Sequence, residues 1–107
     1  MTLTELYTVL TSTELPVAYS AFSDDEHVKP PCITYELAFS HNFGADDKVF
    51  SPFSTVDIFL FQKTKGPAEG ALEDALDKAG IFWDKTETYD NSEKVFQTIY
   101  EVNINGR

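Results

Sequence analysis

The chain has 107 residues, with 18 Asp and Glu against 8 Lys and Arg, a formal charge of -10, and an aromatic complement of nine Phe, five Tyr and one Trp. That length supports one hydrophobic core and leaves no room for two, and a hydrophobic content of 42% excludes an intrinsically disordered chain. The acidic balance speaks against partners that need a Lys and Arg surplus, namely nucleic-acid phosphates and anionic membrane faces.

Thr2 and Glu5 have the spacing of a capping box, in which the Thr2 hydroxyl accepts from the Glu5 amide and the Glu5 carboxylate reaches back to the Thr2 amide. Leu3, Leu6, Tyr7 and Leu10 follow at helical spacing, predicting a helix of roughly three turns that Thr11, Ser12, Thr13 and Pro16 bring to an end. Val17 to Phe22 reads as a short strand closed by the acidic loop Asp24-Asp25-Glu26. Pro30-Pro31 cannot sit inside a sheet ladder and mark the start of the next strand. There Ile33, Tyr35, Leu37 and Phe39 alternate with Thr34 and Glu36, the pattern of a half-buried strand.

Residues 40–54 mix turn formers (Asn42, Gly44, Asp46, Asp47, Pro52) with Phe43, Val49, Phe50 and Phe53, predicting a long hairpin excursion with its tip near Gly44 to Lys48. Val56 to Phe61 is the most apolar strand and the natural centre of a sheet covered on one face by helix. Gly66-Pro67 opens a second helix with proline where its missing amide hydrogen costs nothing. Ala68, Leu72, Ala75, Leu76 and Ala79 form its apolar stripe, Glu69, Glu73 and Asp74 sit near its N-terminus, and Lys78 and Gly80 close it. Two more alternating strands, Ile81 to Tyr89 and Val95 to Ile104, flank a turn at Asp90 to Glu93, with Phe96, Thr98, Tyr100, Val102 and Ile104 on the more apolar face. The order predicts a single α+β domain over residues 1–107: one mainly antiparallel sheet, two helices packed on one face, and a long β-hairpin.

The chemistry-bearing residues form no recognised site. Asp24, Asp25 and His27, with His41, Asp46 and Asp47, include groups that bind divalent metal, but no H-x-x-x-H, H-E-x-x-H or EF-hand spacing connects them, and solvated loop acids are the expectation. His27 and His41 lie in polar loops. Cys32, the one cysteine, excludes an intramolecular disulfide framework and a Cys-based zinc site, fits a reduced intracellular setting, and reads as a small hydrophobe rather than a nucleophile. No phosphate-binding glycine loop or nucleophile elbow is present, so neither enzymatic activity nor a cofactor is expected. Met1 to Glu5 lacks the basic-then-apolar pattern of a signal peptide, and the apolar run Ile58 to Phe61 is far short of the ~20 residues of a membrane helix. Phe43, Phe50, Phe53, Phe59 and Phe61 exceed what one face of a five-strand sheet obviously buries, which leaves a protein interface on the hairpin as the alternative to core filling.

The run Pro30 to Tyr35 (PPCITY), the stretch His41 to Asp47 (HNFGADD), the strand Val56 to Phe61, the helix opened by Gly66-Pro67-Ala68-Glu69 and the ending Tyr89 to Val102 (YDNSEKVFQTIYEV) together resemble the tail-completion proteins, also called tail-terminator or head-to-tail joining proteins, of long-tailed bacteriophages and prophages of Gram-positive hosts. The resemblance implies a virion assembly protein: a homomeric ring, commonly a hexamer, that terminates the tail tube and joins it to the head connector. Its partners would be further copies of itself, the major tail tube protein and the head-connector protein, with DNA passing through the lumen and no membrane contact. It would be assembled in the bacterial cytoplasm and reside at the head-tail junction. Carried onto this chain, the hairpin residues Phe43, Asp46, Asp47, Val49, Phe50 and Phe53 would be the assembly interface. Two rivals come from other classes: an acidic DNA mimic that occupies the basic cleft of a host enzyme, and a metal-dependent hydrolase built on Asp24, Asp25 and His27.

Overall fold

The structure, a computed structural model, describes residues 1–23, 28–40 and 53–105. Helix α1 (Leu3–Thr11) begins at the predicted capping box: the Glu5 amide donates to Thr2 Oγ1 at 3.1 Å and the Thr2 amide to Glu5 Oε1 at 2.8 Å. Its last turn is closed by hydroxyls, with Thr11, Ser12 and Thr13 donating to the carbonyls of Thr8, Val9 and Leu10 at 2.9, 2.6 and 2.7 Å. Helix α2 (Pro67–Lys78) starts from Gly66 with proline in its first turn. It ends at Gly80, whose φ of 74° is the left-handed conformation glycine adopts without strain. The Gly80 amide donates to the Asp77 carbonyl (3.0 Å) and the Ile81 amide to that of Leu76 (2.9 Å), the paired bonds of a helix C-terminal cap.

Five strands follow the predicted order: β1 (Val17–Tyr19), β2 (Cys32–Ser40), β3 (Phe53–Gln62), β4 (Trp83–Asp90) and β5 (Val95–Asn105). They form one sheet in the order β1-β2-β3-β5-β4, so β3 is central, as its apolar run requires. Every neighbouring pair is antiparallel except β1 with β2. Leu6 and Leu10 of α1 and Leu72 and Leu76 of α2 are fully buried on one face of this sheet, against Ile33, Ile58, Leu60 and Tyr100. The fold is therefore α+β, with both helices on the same side of a mainly antiparallel sheet. Strands β2 and β3 are paired outward as far as Ser40 opposite Ser54, as the arms of a hairpin would be. The predicted tip, Gly44 to Lys48, lies outside the described residues.

Three details depart from the sequence reading. β1 stops at Tyr19 rather than Phe22, because Ser20 has a φ of 69°, its amide turns to the Tyr35 carbonyl (2.7 Å), and the Ala21 amide closes on Tyr19 (2.7 Å). β2 carries a bulge: Leu37 pairs with Val56 but Phe39 with Thr55, so Ala38 is the extra residue and Phe39 leaves the register row of Ile33, Tyr35 and Leu37. β4 starts at Trp83 rather than Ile81, because the α2 cap holds Ile81 and buries it beside Leu76.

Candidate functional site

Of the residues assigned to an assembly interface, Phe43, Asp46, Asp47, Val49 and Phe50 lie outside the described residues, as do Asp24, Asp25, Glu26, His27 and His41 of the metal and general-base readings. Phe53 is the first residue of β3, in register with Asn105. Cys32 opens β2 with its side chain buried, and that burial pushes the thiol pKa up, away from a reactive thiolate. Among the described residues no three His, Cys, Asp or Glu side chains are grouped to hold a metal ion.

No described helix packs on the sheet face opposite α1 and α2. That face presents Asp57, Phe59 and Phe61 from β3, interleaved with the core residues Val56, Ile58 and Leu60. The Phe59 and Phe61 rings lie 6.4 Å apart with 10° between their planes, and both are half-buried. Register brings carboxylates from four strands into one line across this face: Glu36 of β2 is opposite Asp57 of β3, Asp57 opposite Glu101 of β5, and Glu101 opposite Asp84 of β4. Phe82, the residue before β4, is 82% exposed. Sequence reading placed it inside an alternating strand and passed it over. The signal that would have found it is Gly80: a glycine-capped helix draws the next apolar residue, Ile81, into the core and leaves Phe82 outside.

On the helix side, α2 and β4 are joined by paired charges. Lys85 Nζ lies 2.6 Å from Glu69 Oε2 and 2.7 Å from Glu73 Oε2, and the Tyr100 hydroxyl donates to Glu73 Oε2 at 2.8 Å. Lys65 bridges Glu69 Oε1 (3.2 Å) and Glu87, and Trp83 Nε1 donates to Asp77 Oδ1 at 2.9 Å. The Lys85 ammonium holds the Glu69 carboxyl below its ordinary range, and Glu69 with Glu73 raises Lys85 in return. Burial, then the hydrogen bond to Glu73, raises the Tyr100 phenol. Each acid here already has a cationic, hydroxyl or indole N–H partner, so the cluster is an attachment of β4 to α2 rather than a free acid or base. From the sequence, Glu69 and Glu73 had a helix-dipole role only; their cross-element partners depend on sheet register.

Among the described residues there are depressions of about 310 Å3 between Pro30-Pro31 and the start of α2, and of about 210 Å3 on the face opposite the helices at Thr34, Phe59, Phe61 and Gln97. No protein-family model and no curated protein matches the chain.

Proposed function

We propose that this chain is a structural subunit of a bacteriophage head-tail junction, assembling as a ring, commonly a hexamer in such proteins, that closes the tail tube and joins it to the head connector. The observation that supports it best is the order of the described elements, a helix, three strands of which the last is central, a second helix and two strands, in keeping with the order the resemblance implies. The architecture suits such work: among the described residues β1 and β4 are the outer strands, whose outward backbone groups can pair with a neighbour, and no described helix packs on the second sheet face. In this reading the hairpin residues Phe43, Asp46, Asp47, Val49, Phe50 and Phe53 contact neighbouring subunits or the tail tube, and the net acidity keeps DNA moving through the lumen. The DNA-mimic alternative asks for carboxylates in a two-dimensional array. The described acids instead form one row, with others at the Thr2 cap, in the Asp90 turn and in ion pairs.

Light scattering of the purified chain, alone and mixed with tail tube or connector protein, tests the proposal. A ring, alone or with either partner, is expected; a strict monomer that binds neither overturns it. Substituting Phe43→Ser together with Phe50→Ser should leave the fold intact and abolish assembly. Loss of the fold would place those rings in the core and overturn the hairpin as the interface.

A further inference from the structure

Like charges placed directly opposite on neighbouring strands repel. Glu36, Asp57, Glu101 and Asp84 do this three times in succession across β2, β3, β5 and β4. With strands ~4.8 Å apart the line is roughly 14 Å long. No strand residue on that face among those described is basic: Lys85, the one lysine within the described strands, belongs to the opposite face, where it and Lys65 are taken by Glu69, Glu73 and Glu87. One register row from the acids lie Phe59 and Ile99, directly paired and half-buried. Two residues before Asp84 stands the exposed ring of Phe82.

A line of carboxylates that have no partner among the described residues, bordered by apolar side chains, has a definite complement. We propose that the sheet face opposite the helices docks a partner-protein segment that lines up Lys or Arg side chains against Asp57 and Glu101 and sets an apolar side chain beside them, on Phe59 and Ile99. Charge decides among the occupants. Nucleic acid and anionic lipid bring phosphate to carboxylate. A second copy of this chain brings another charge of -10 to the same place. A cationic segment instead removes the repulsion within the row and covers apolar area in the same step. The inference concerns this face alone and holds whether or not the chain closes a ring.

The test uses the full chain and a short synthetic peptide amide of repeated Lys-Lys-Phe triplets, with binding followed by amide chemical shifts and calorimetry. Shift changes should centre on Asp57, Phe59, Ile99 and Glu101. The variant Asp57→Asn with Glu101→Gln should weaken binding about tenfold, as expected for opposed charges at an interface. The variant Asp74→Asn with Glu93→Gln makes the same change in net charge on α2 and in the β4–β5 turn, and should leave the dissociation constant within about twofold. A peptide with Ser in place of Phe should bind several-fold more weakly. Equal weakening by the two double variants, shifts centred on the helices, or retention of the chain on DNA or anionic vesicles in preference to the peptide would each overturn the proposal.

Discussion

The same strands do different work on the two faces of the sheet. On the helix face Val56, Ile58 and Leu60 of β3 meet Tyr100 and Val102 of β5 and the leucines of both helices, all fully or almost fully buried. One residue along, Asp57 and Phe59 meet Glu101 and Ile99, with no described helix above them. Among the described residues the helix face therefore holds most of the buried apolar side chains, and the other face has no helix packed on it. Substitution at adjacent positions can break this contrast. Ile58→Ala removes a fully buried side chain in register with Tyr35 and Tyr100, and should cost about 2–5 kcal/mol, a large part of the stability of a domain this size. Phe59→Ala, one residue away, should cost about 1 kcal/mol. Urea midpoints at unchanged slope measure both, and equal losses would mean that the second face is also core.

How much of this was legible in the sequence depended on how local each signal was. The Thr2-Glu5 box, the Gly66-Pro67 start and the Gly80 stop are each written within a few residues, and the structure has all of them. The apolar run of β3 identified the central strand because only a strand flanked on both sides hides that much apolar surface. The bulge at Ala38 has no such mark, since nothing in CITYELAFS distinguishes an extra residue from a regular one. The parallel pairing of β1 with β2 was also unreadable, because a three-residue strand carries no preference for direction. The acidic row was invisible for a related reason. Its four members lie in four different strands and meet only through register, whereas Asp24-Asp25-Glu26 and Asp46-Asp47 drew notice by adjacency in sequence alone.

The helix face has one flaw, and removing it sharpens the comparison. Thr98 is fully buried, yet its Oγ1 has no hydrogen-bond partner among the described residues. An unsatisfied buried hydroxyl costs about 1–3 kcal/mol, so Thr98→Val, which keeps the branched shape a strand prefers, should stabilise by about 1 kcal/mol. A lower thermal midpoint in the variant would show that the hydroxyl is satisfied after all.

The paired charges at the edge of this face set its response to pH. The folded Glu69 carboxyl titrates below its ordinary value of 4.5 because Lys85 stabilises the anion. The stability it contributes is complete above the unfolded value and is lost as pH falls through the folded one. Lys85 is raised above 10.5, so its contribution is complete below that value and is lost as pH climbs through the folded one. These two groups alone would leave the stability curve flat between the limits and falling at both ends; the buried Cys32 thiol, still protonated in the fold when the unfolded thiol ionises, starts the alkaline fall from its ordinary value of 9.0. Glu69→Gln should flatten part of the acid limb, by about 1 kcal/mol or less for a pair at the protein surface. Asp90, held low first by the Ser92 hydroxyl and then by the Glu93 amide, keeps a residual slope. An unchanged acid limb in Glu69→Gln would show that the ion pairs do not tie β4 to α2.

The smallest effect bears most directly on what the second face is for. Asp57 lies opposite both Glu36 and Glu101 and so takes part in two of the repulsive pairings. Asp57→Asn keeps the size of the side chain and should raise stability by about 0.2–1 kcal/mol at low salt, the reverse of the usual sign for a substitution. The gain should vanish near 1 M salt, where the screening length of ~3 Å is shorter than the spacing between strands. Adding Glu101→Gln should give less than the sum of the single effects, because the two residues share one pairing. Loss of stability at low salt would mean that the row is favourably solvated and carries no strain. A gain in stability together with weaker binding of the basic peptide is the combination a docking face requires, since solvated surface acids would give the two measurements no reason to move in opposite directions.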